Sequence, residues 1–113
     1  MPSFAPAFPG KTDRMMSKLE LVQVIRLDIA SELEAIYLYE AHAHATDNVI
    51  AKKVLLDIAD EEKVHVGELL TLLNYLAPDT AKHLATGEME VREMMEEACT
   101  DPNPQLGRKL NTH

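Results

Sequence analysis

Two long runs of aliphatic residues at steps of three and four, separated by only three turn-forming residues, constrain this chain more than any other feature. In the first run Leu21, Val22, Ile25, Ile29, Leu33, Ile36 and Tyr37 recur with Glu20, Gln23, Arg26 and Glu34 between them. That is the pattern of an amphipathic helix over about 18–45. Ser17, with Glu20 three places on, predicts a capping box at its start. Thr46-Asp47-Asn48 breaks the period. Val49 reopens it, and Val54, Leu55, Ile58, Leu69, Leu72, Leu73 and Leu76 carry a second helix to about Leu76, where Pro78 stops it. A link this short folds the two helices into an antiparallel hairpin.

Such a hairpin, with helices near 40 Å long, cannot bury its apolar stripe alone. Beyond Pro78-Asp79, an acidic stretch with Gly87, Val91, Met94 and Met95 predicts one or two shorter helical pieces ending near Cys99. These shield part of the stripe, and the simplest cover for the remainder is another copy of the chain, giving a four-helix bundle from two chains. The expected class is all-α: a hairpin plus a short C-terminal helix, dimerising into a bundle. With 113 residues there is no room for a second domain. Residues 1–16 are expected to be an arm, 17–99 the helical domain and 100–113 a tail carrying Pro102 and Pro104.

Composition narrows the function. Eleven Lys and Arg against nineteen Asp and Glu leave a net charge of −8, which repels phosphate backbones and anionic lipid and favours cations as ligands. Nucleic acid is therefore not an expected partner. The single cysteine, Cys99, excludes an internal disulfide or a thiolate cluster within the chain and fits a reducing cytosol. No early signal-like stretch and no window of roughly 18 apolar residues is present, so a soluble cytoplasmic protein with no membrane partner is expected.

Three ionisable residues interrupt the stripe, all at one level. Glu32 lies three places after Ile29 and four before Ile36; Glu62 lies four after Ile58; His65 lies three further on and four before Leu69. With the turn centred near Asp47, residues at one height have numbers summing to about 94. Ile25 then faces Leu69, Ile36 faces Ile58, Tyr39 faces Leu55, Val22 faces Leu72, and Glu32 faces Glu62. Facing carboxylates with an imidazole one turn away suit Fe, Mn or Zn ions. A bare Glu-x-x-His spacing is weak by itself; its core position and the matching acid make it specific. The plainer reading has Glu32 and Glu62 at the stripe's edge, paired with Lys63 or Arg26, and His65 as a satisfied core imidazole.

Carboxylate-bridged di-iron sites in bundles use one Glu from each of two helices and Glu-x-x-His from each of the other two. This chain carries half of that set. A two-fold homodimer supplies the other half, with two metals roughly 3.5–4 Å apart and metal binding linked to dimerisation.

At these residues the chain resembles the encapsulated ferritins, half-length members of the ferritin-like superfamily that bacteria and archaea store inside encapsulin shells. The likeness runs from about Ser17 to Glu97. It is carried by Ser31-Glu32-Leu33-Glu34-Ala35 with Tyr39 and by Asp60-Glu61-Glu62-Lys63-Val64-His65. It implies Glu32, Glu62 and His65 as iron ligands, Tyr39 just behind them, and a ferroxidase that oxidises Fe(II) to Fe(III) with dioxygen at a di-iron centre, other divalent metals substituting. Glu62 would bridge the irons, Glu32 would complete each carboxylate shell and His65 would cap each metal. It further implies a ring-shaped homodecamer built from dimers, working in the lumen of an encapsulin nanocompartment that stores the ferric product. Some relatives carry a carboxylate before the ligand Glu and a Trp six places after it, forming a secondary site where metal first binds. Ser31 and Leu38 stand there in this chain, and Glu34 alone keeps that pattern.

The tail Gln105-Leu106-Gly107-Arg108-Lys109-Leu110 has the small, apolar and basic character of an encapsulin-targeting peptide. His42 and His44 point to different helix faces and make a poor chelate; His83 is compatible with an oligomer contact. Met15, Met16, Met89, Met94 and Met95 are read as filling gaps at helix or subunit contacts. Glu93, Glu96 and Glu97 are read as a solvated face and Cys99 as a reduced thiol. Two competing functions remain at this point. A di-iron peroxidase of rubrerythrin type would need an outside reductant, because one cysteine cannot build the usual Cys₄ iron site. A non-enzymatic helical adaptor would use the acidic level for dimer specificity.

Overall fold

A computed structural model of the chain describes residues 13–100. Among them are three helices, α1 (Lys18–His44), α2 (Val49–Leu76) and α3 (Pro78–Thr100), and no strand. Residues 1–12 and 101–113, which hold most of the expected arm and the expected targeting tail, lie outside the described residues. The chain divides into two compact units between Ala77 and Pro78.

The first unit is the hairpin. α1 opens with the capping box expected from Ser17 and Glu20: the Glu20 backbone N–H donates to Ser17 Oγ at 3.2 Å, and the Ser17 N–H donates to Glu20 Oε1 at 2.8 Å. Two of the N–H groups that a helix start leaves unpaired are thereby satisfied. Arg14 adds a 2.7 Å ion pair to Glu20 Oε2. The Arg14 hydrogen bond, helped by the Ser17 N–H, lowers the Glu20 carboxyl from its ordinary 4.5 to about 2. A group with a depressed folded-state value contributes its stabilisation in full above the unfolded value and loses it as the pH falls toward the folded one. The first turn of α1 is therefore expected to hold down to about pH 4.5 and to loosen between there and about pH 2. Amide exchange of residues 19–22 should show this step, and Glu20→Gln should remove it.

α1 ends at Ala45, whose N–H donates to Ala41 O and His42 O. The Thr46–Asn48 link is held locally: Asn48 N–H donates to Thr46 Oγ1, and Asn48 Oδ1 accepts from Ala51 N–H at 2.9 Å, which makes it the N-cap of α2. Along the hairpin Ala43 on α1 and Ala59 on α2 are both fully covered, at different heights. At the open end Val22, Ile25, Leu73 and Ala77 form the core, with Leu21, Ile29, Leu69 and Leu76 against it. Ile25 and Leu69 share this cluster as expected. Val22 packs with the cluster of Leu73, however, and Leu72 is 39% exposed. The helix gains 3.6 residues per turn, so the inward position after Leu69 is Leu73, and a fixed numerical sum slips by one.

The second unit is α3. It is one continuous 23-residue helix rather than one or two shorter pieces. Pro78 both ends α2 and starts α3, since its locked φ and missing N–H suit the first helical position. Gly87 does not break the helix; it costs about 1 kcal/mol relative to Ala, spread over a helix six turns long. No described helix is long and apolar enough to cross a membrane.

Candidate metal centre

Glu32 lies near the middle of α1 and Glu62 near the middle of α2, so each is carried by rigid, fully bonded helix on both sides. His65 follows Glu62 by three residues, which places it on the adjacent turn of nearly the same face. The hairpin brings one ligand atom from each of Glu32, Glu62 and His65 within 4.8 Å of the others. His65 Nδ1 stands 3.5 Å from Glu32 Oε2 and 3.4 Å from Glu62 Oε2. Among the described residues no other group of three or more His, Cys, Asp or Glu side chains converges in this way.

The two acids are largely covered, with side-chain exposures of 26% and 17%, while His65 is at 47%. The imidazole therefore lies on an open edge of the hairpin, not within its core, and the cluster faces outward through it. Glu32 Oε2 is buried without a hydrogen-bond partner. A carboxylate oxygen removed from water and left unpaired is costly unless it meets a cation or a proton. Two carboxylates and an imidazole are the donor set that a borderline transition ion accepts, so the residues present fit such a metal.

Lys63 does not serve these acids. It reaches Glu40 at 3.2 Å and Asp60 at 3.2 Å, tying α1 to α2 on another side, and both partners raise its pKa, Asp60 first. Arg26 donates to Gln23. The Glu40–Lys63 link was not evident in the sequence, because its partners are neither three nor four apart on one helix.

The remaining expected positions spread out. Tyr39 is half-buried on α1, two turns beyond Glu32. Glu34 is exposed and lies outside the converging group. His42 and His44 are exposed, and His83 Nδ1 lies 2.7 Å from Asp79 O within its own helix. Cys99 is an exposed free thiol. Glu93, Glu96 and Glu97 are exposed, in keeping with a solvated face. Met15, Met89, Met94 and Met95 are exposed as well, so they fill no gap between helices of one chain.

The chain is similar to known proteins. The chain is 44% identical over 82 residues to the ferritin-like-encapsulin shell fusion protein of Pyrococcus furiosus, covering 73% of this chain and 24% of that protein. It is 43% identical over 83 residues to the encapsulin nanocompartment cargo protein EncC of Myxococcus xanthus, covering 74% of this chain and 63% of that one. It thus spans about a quarter and somewhat under two thirds of these relatives. The crystal structure of the encapsulated ferritin domain from Pyrococcus furiosus superposes with a TM-score of 0.69 at 42% identity, over 80% of this chain and 92% of that domain. No protein-family profile matches the chain.

Proposed function

This chain belongs to the encapsulated ferritins, and from that membership and its acid–imidazole cluster we propose that it is a ferroxidase, oxidising Fe(II) to Fe(III) with dioxygen at metal positions shared by two copies. The observation that carries the reading is the convergence of Glu32, Glu62 and His65 within 4.8 Å at the open edge of the hairpin. Three ligands per chain are half of the set that ferritin-like bundles use, and a two-fold axis beside His65 completes it. The surface there suits a second copy. On α2, Val54 three turns before His65 and Leu72 two turns after it lie on the same stripe, at 50% and 39% exposure.

In this reading Glu62, Glu32 and His65 would hold the iron, Glu62 bridging between the two positions, Glu32 completing the carboxylate shell and His65 capping each metal. Tyr39 stands behind the ligands, and Glu34 is a lesser outer position where arriving metal first binds. Iron is the substrate: two Fe(II) held side by side would together supply the two electrons that, with two protons, take one dioxygen to hydrogen peroxide, which a single Fe(II) cannot. The protein's residues do the rest. The carboxylates offset the growing positive charge, the imidazole fixes the remaining direction, and the apolar stripe of the partner chain keeps bulk water away. The dimers assemble into a ring-shaped decamer that is cargo of an encapsulin shell, acting within its lumen, with residues 100–113 as the docking segment. The relatives named for encapsulin support this partner.

The test is rapid mixing of the metal-free chain with Fe(II) under dioxygen, followed by absorbance and oxygen consumption. Fast oxidation saturating at one iron per chain is expected. Faster turnover with hydrogen peroxide than with dioxygen would move the protein to the rubrerythrin-like peroxidases, and a rate equal to that of buffer would end the proposal.

A further inference from the structure

On α2, Glu62, His65 and Glu68 follow one another at steps of three. Three residues fall about 60° short of a full turn, so the row winds outward from the core. Exposure follows it: the Glu62 side chain is at 17%, His65 is at 47%, and Glu68 is exposed. The proposed function uses the first two and leaves Glu68 without a part. Each helical side chain leans toward the N-terminus of its helix. Glu68 therefore leans over the turn that carries His65, just as His65 leans over Glu62, with its Nδ1 3.4 Å from Oε2. Glu61, one turn to the other side of His65, leans away from it.

His65 turns Nδ1 to both acids, 3.5 Å from Glu32 and 3.4 Å from Glu62. A ring nitrogen that binds a metal gives up its lone pair, so the ring proton sits on Nε2. That outer N–H needs an acceptor to fix the tautomer and the direction of the ring. Of the four positions one turn from Glu68, which are Val64, His65, Thr71 and Leu72, only His65 and Thr71 carry side-chain donors. The Thr71 hydroxyl donates to Gly67 O at 2.9 Å. Lys63, the nearest cation along the helix, is held by Glu40 and Asp60. Among the described residues Glu68 takes part in no ion pair.

We propose that Glu68 is a positioning residue of the metal centre: its carboxylate accepts the outer ring N–H of His65 and so holds Nδ1 toward Glu32 and Glu62. It touches no metal and acts through the imidazole. The proposal rests on the metal-centre reading above and deepens it. Val54 and Leu72 run along the same edge of α2 at 50% and 39% exposure. A second copy seated there removes water from the Glu68–His65 pair, and a hydrogen bond between a carboxylate and an imidazole is stronger in a dry site.

The experiment titrates the full chain with Co(II), whose visible absorption reports both affinity and ligand geometry without any oxidation of iron. Glu68→Ala is expected to raise the half-saturating Co(II) concentration at least tenfold, the range seen when the outer partner of a metal-bound histidine is removed, and to shift the absorption bands. Its helical circular dichroism should stay that of wild type. Glu68→Gln, whose amide oxygen still accepts, should recover most of the affinity. Glu61→Ala removes the same charge from the side that leans away and should bind as wild type does. The proposal is overturned if Glu68→Ala keeps wild-type affinity and bands, or if Glu61→Ala loses as much, which would mark a pooled charge instead of a contact. Wild type that binds Co(II) with this dependence on Glu68 yet leaves Fe(II) unoxidised would refute the ferroxidase and uphold the positioning role. Wild type that binds no Co(II) would overturn both.

Discussion

Glu62→Ala is expected to slow the initial rate of dioxygen-driven Fe(II) oxidation by at least about 100-fold. Substituting the groups that merely orient metal ligands commonly costs 10–100-fold, and Glu62 is proposed to touch both irons. The same change should leave the metal-free chain at least as stable as wild type. Glu62 is only 17% exposed, and it faces Glu32, whose buried Oε2 has no hydrogen-bond partner. Removing one of two crowded acids relieves their desolvation and repulsion. Lost activity with unchanged or raised thermal midpoint is the signature of a site bought at some expense of stability. Glu32→Ala and His65→Ala should lose activity in the same way, whereas Glu61→Ala, exposed on the neighbouring position, should not. Wild-type rates in all three ligand variants would remove the assignment.

The second large effect is on association. If ligands from two chains enclose the metal, any ion that binds only the paired state strengthens pairing by mass action. At free metal one hundred times its dissociation constant, each site contributes about 2.7 kcal/mol, or roughly 100-fold in the association constant. Sedimentation under anaerobic conditions should therefore show pairing that tightens with added Fe(II) and loosens with chelator. His65→Ala should blunt the response while leaving the apolar contacts of Val54 and Leu72 in place. Pairing indifferent to metal and chelator would instead assign the acidic level to partner specificity, the adaptor reading.

Much of this architecture was legible before any coordinates. The α1 and α2 boundaries follow from the three-and-four spacing, the Ser17–Glu20 box and the turn residues at 46–48, all of which act within a few residues of one another. The candidate ligands were legible for a related reason: Glu32, Glu62 and His65 break an otherwise aliphatic stripe at one height, and a stripe interrupted by acid needs a chemical reason. α3 was less so, because Gly87 reads as a break in a string but is a small penalty inside a long helix.

Taken alone, the amino-acid order determined which angular position each side chain takes about its own helix axis, because that depends only on 3.6 residues per turn. How far the two helices rotate against each other is set by packing across the gap, here by the core of Val22, Ile25, Leu73 and Ala77. That rotation, which no local pattern encodes, buried Leu73 in place of Leu72 and tied Lys63 to Glu40 rather than to the acid pair. It also left His65 at an open edge beside an unpartnered Glu32 oxygen, turning three residues of the right type into a cluster one ion wide.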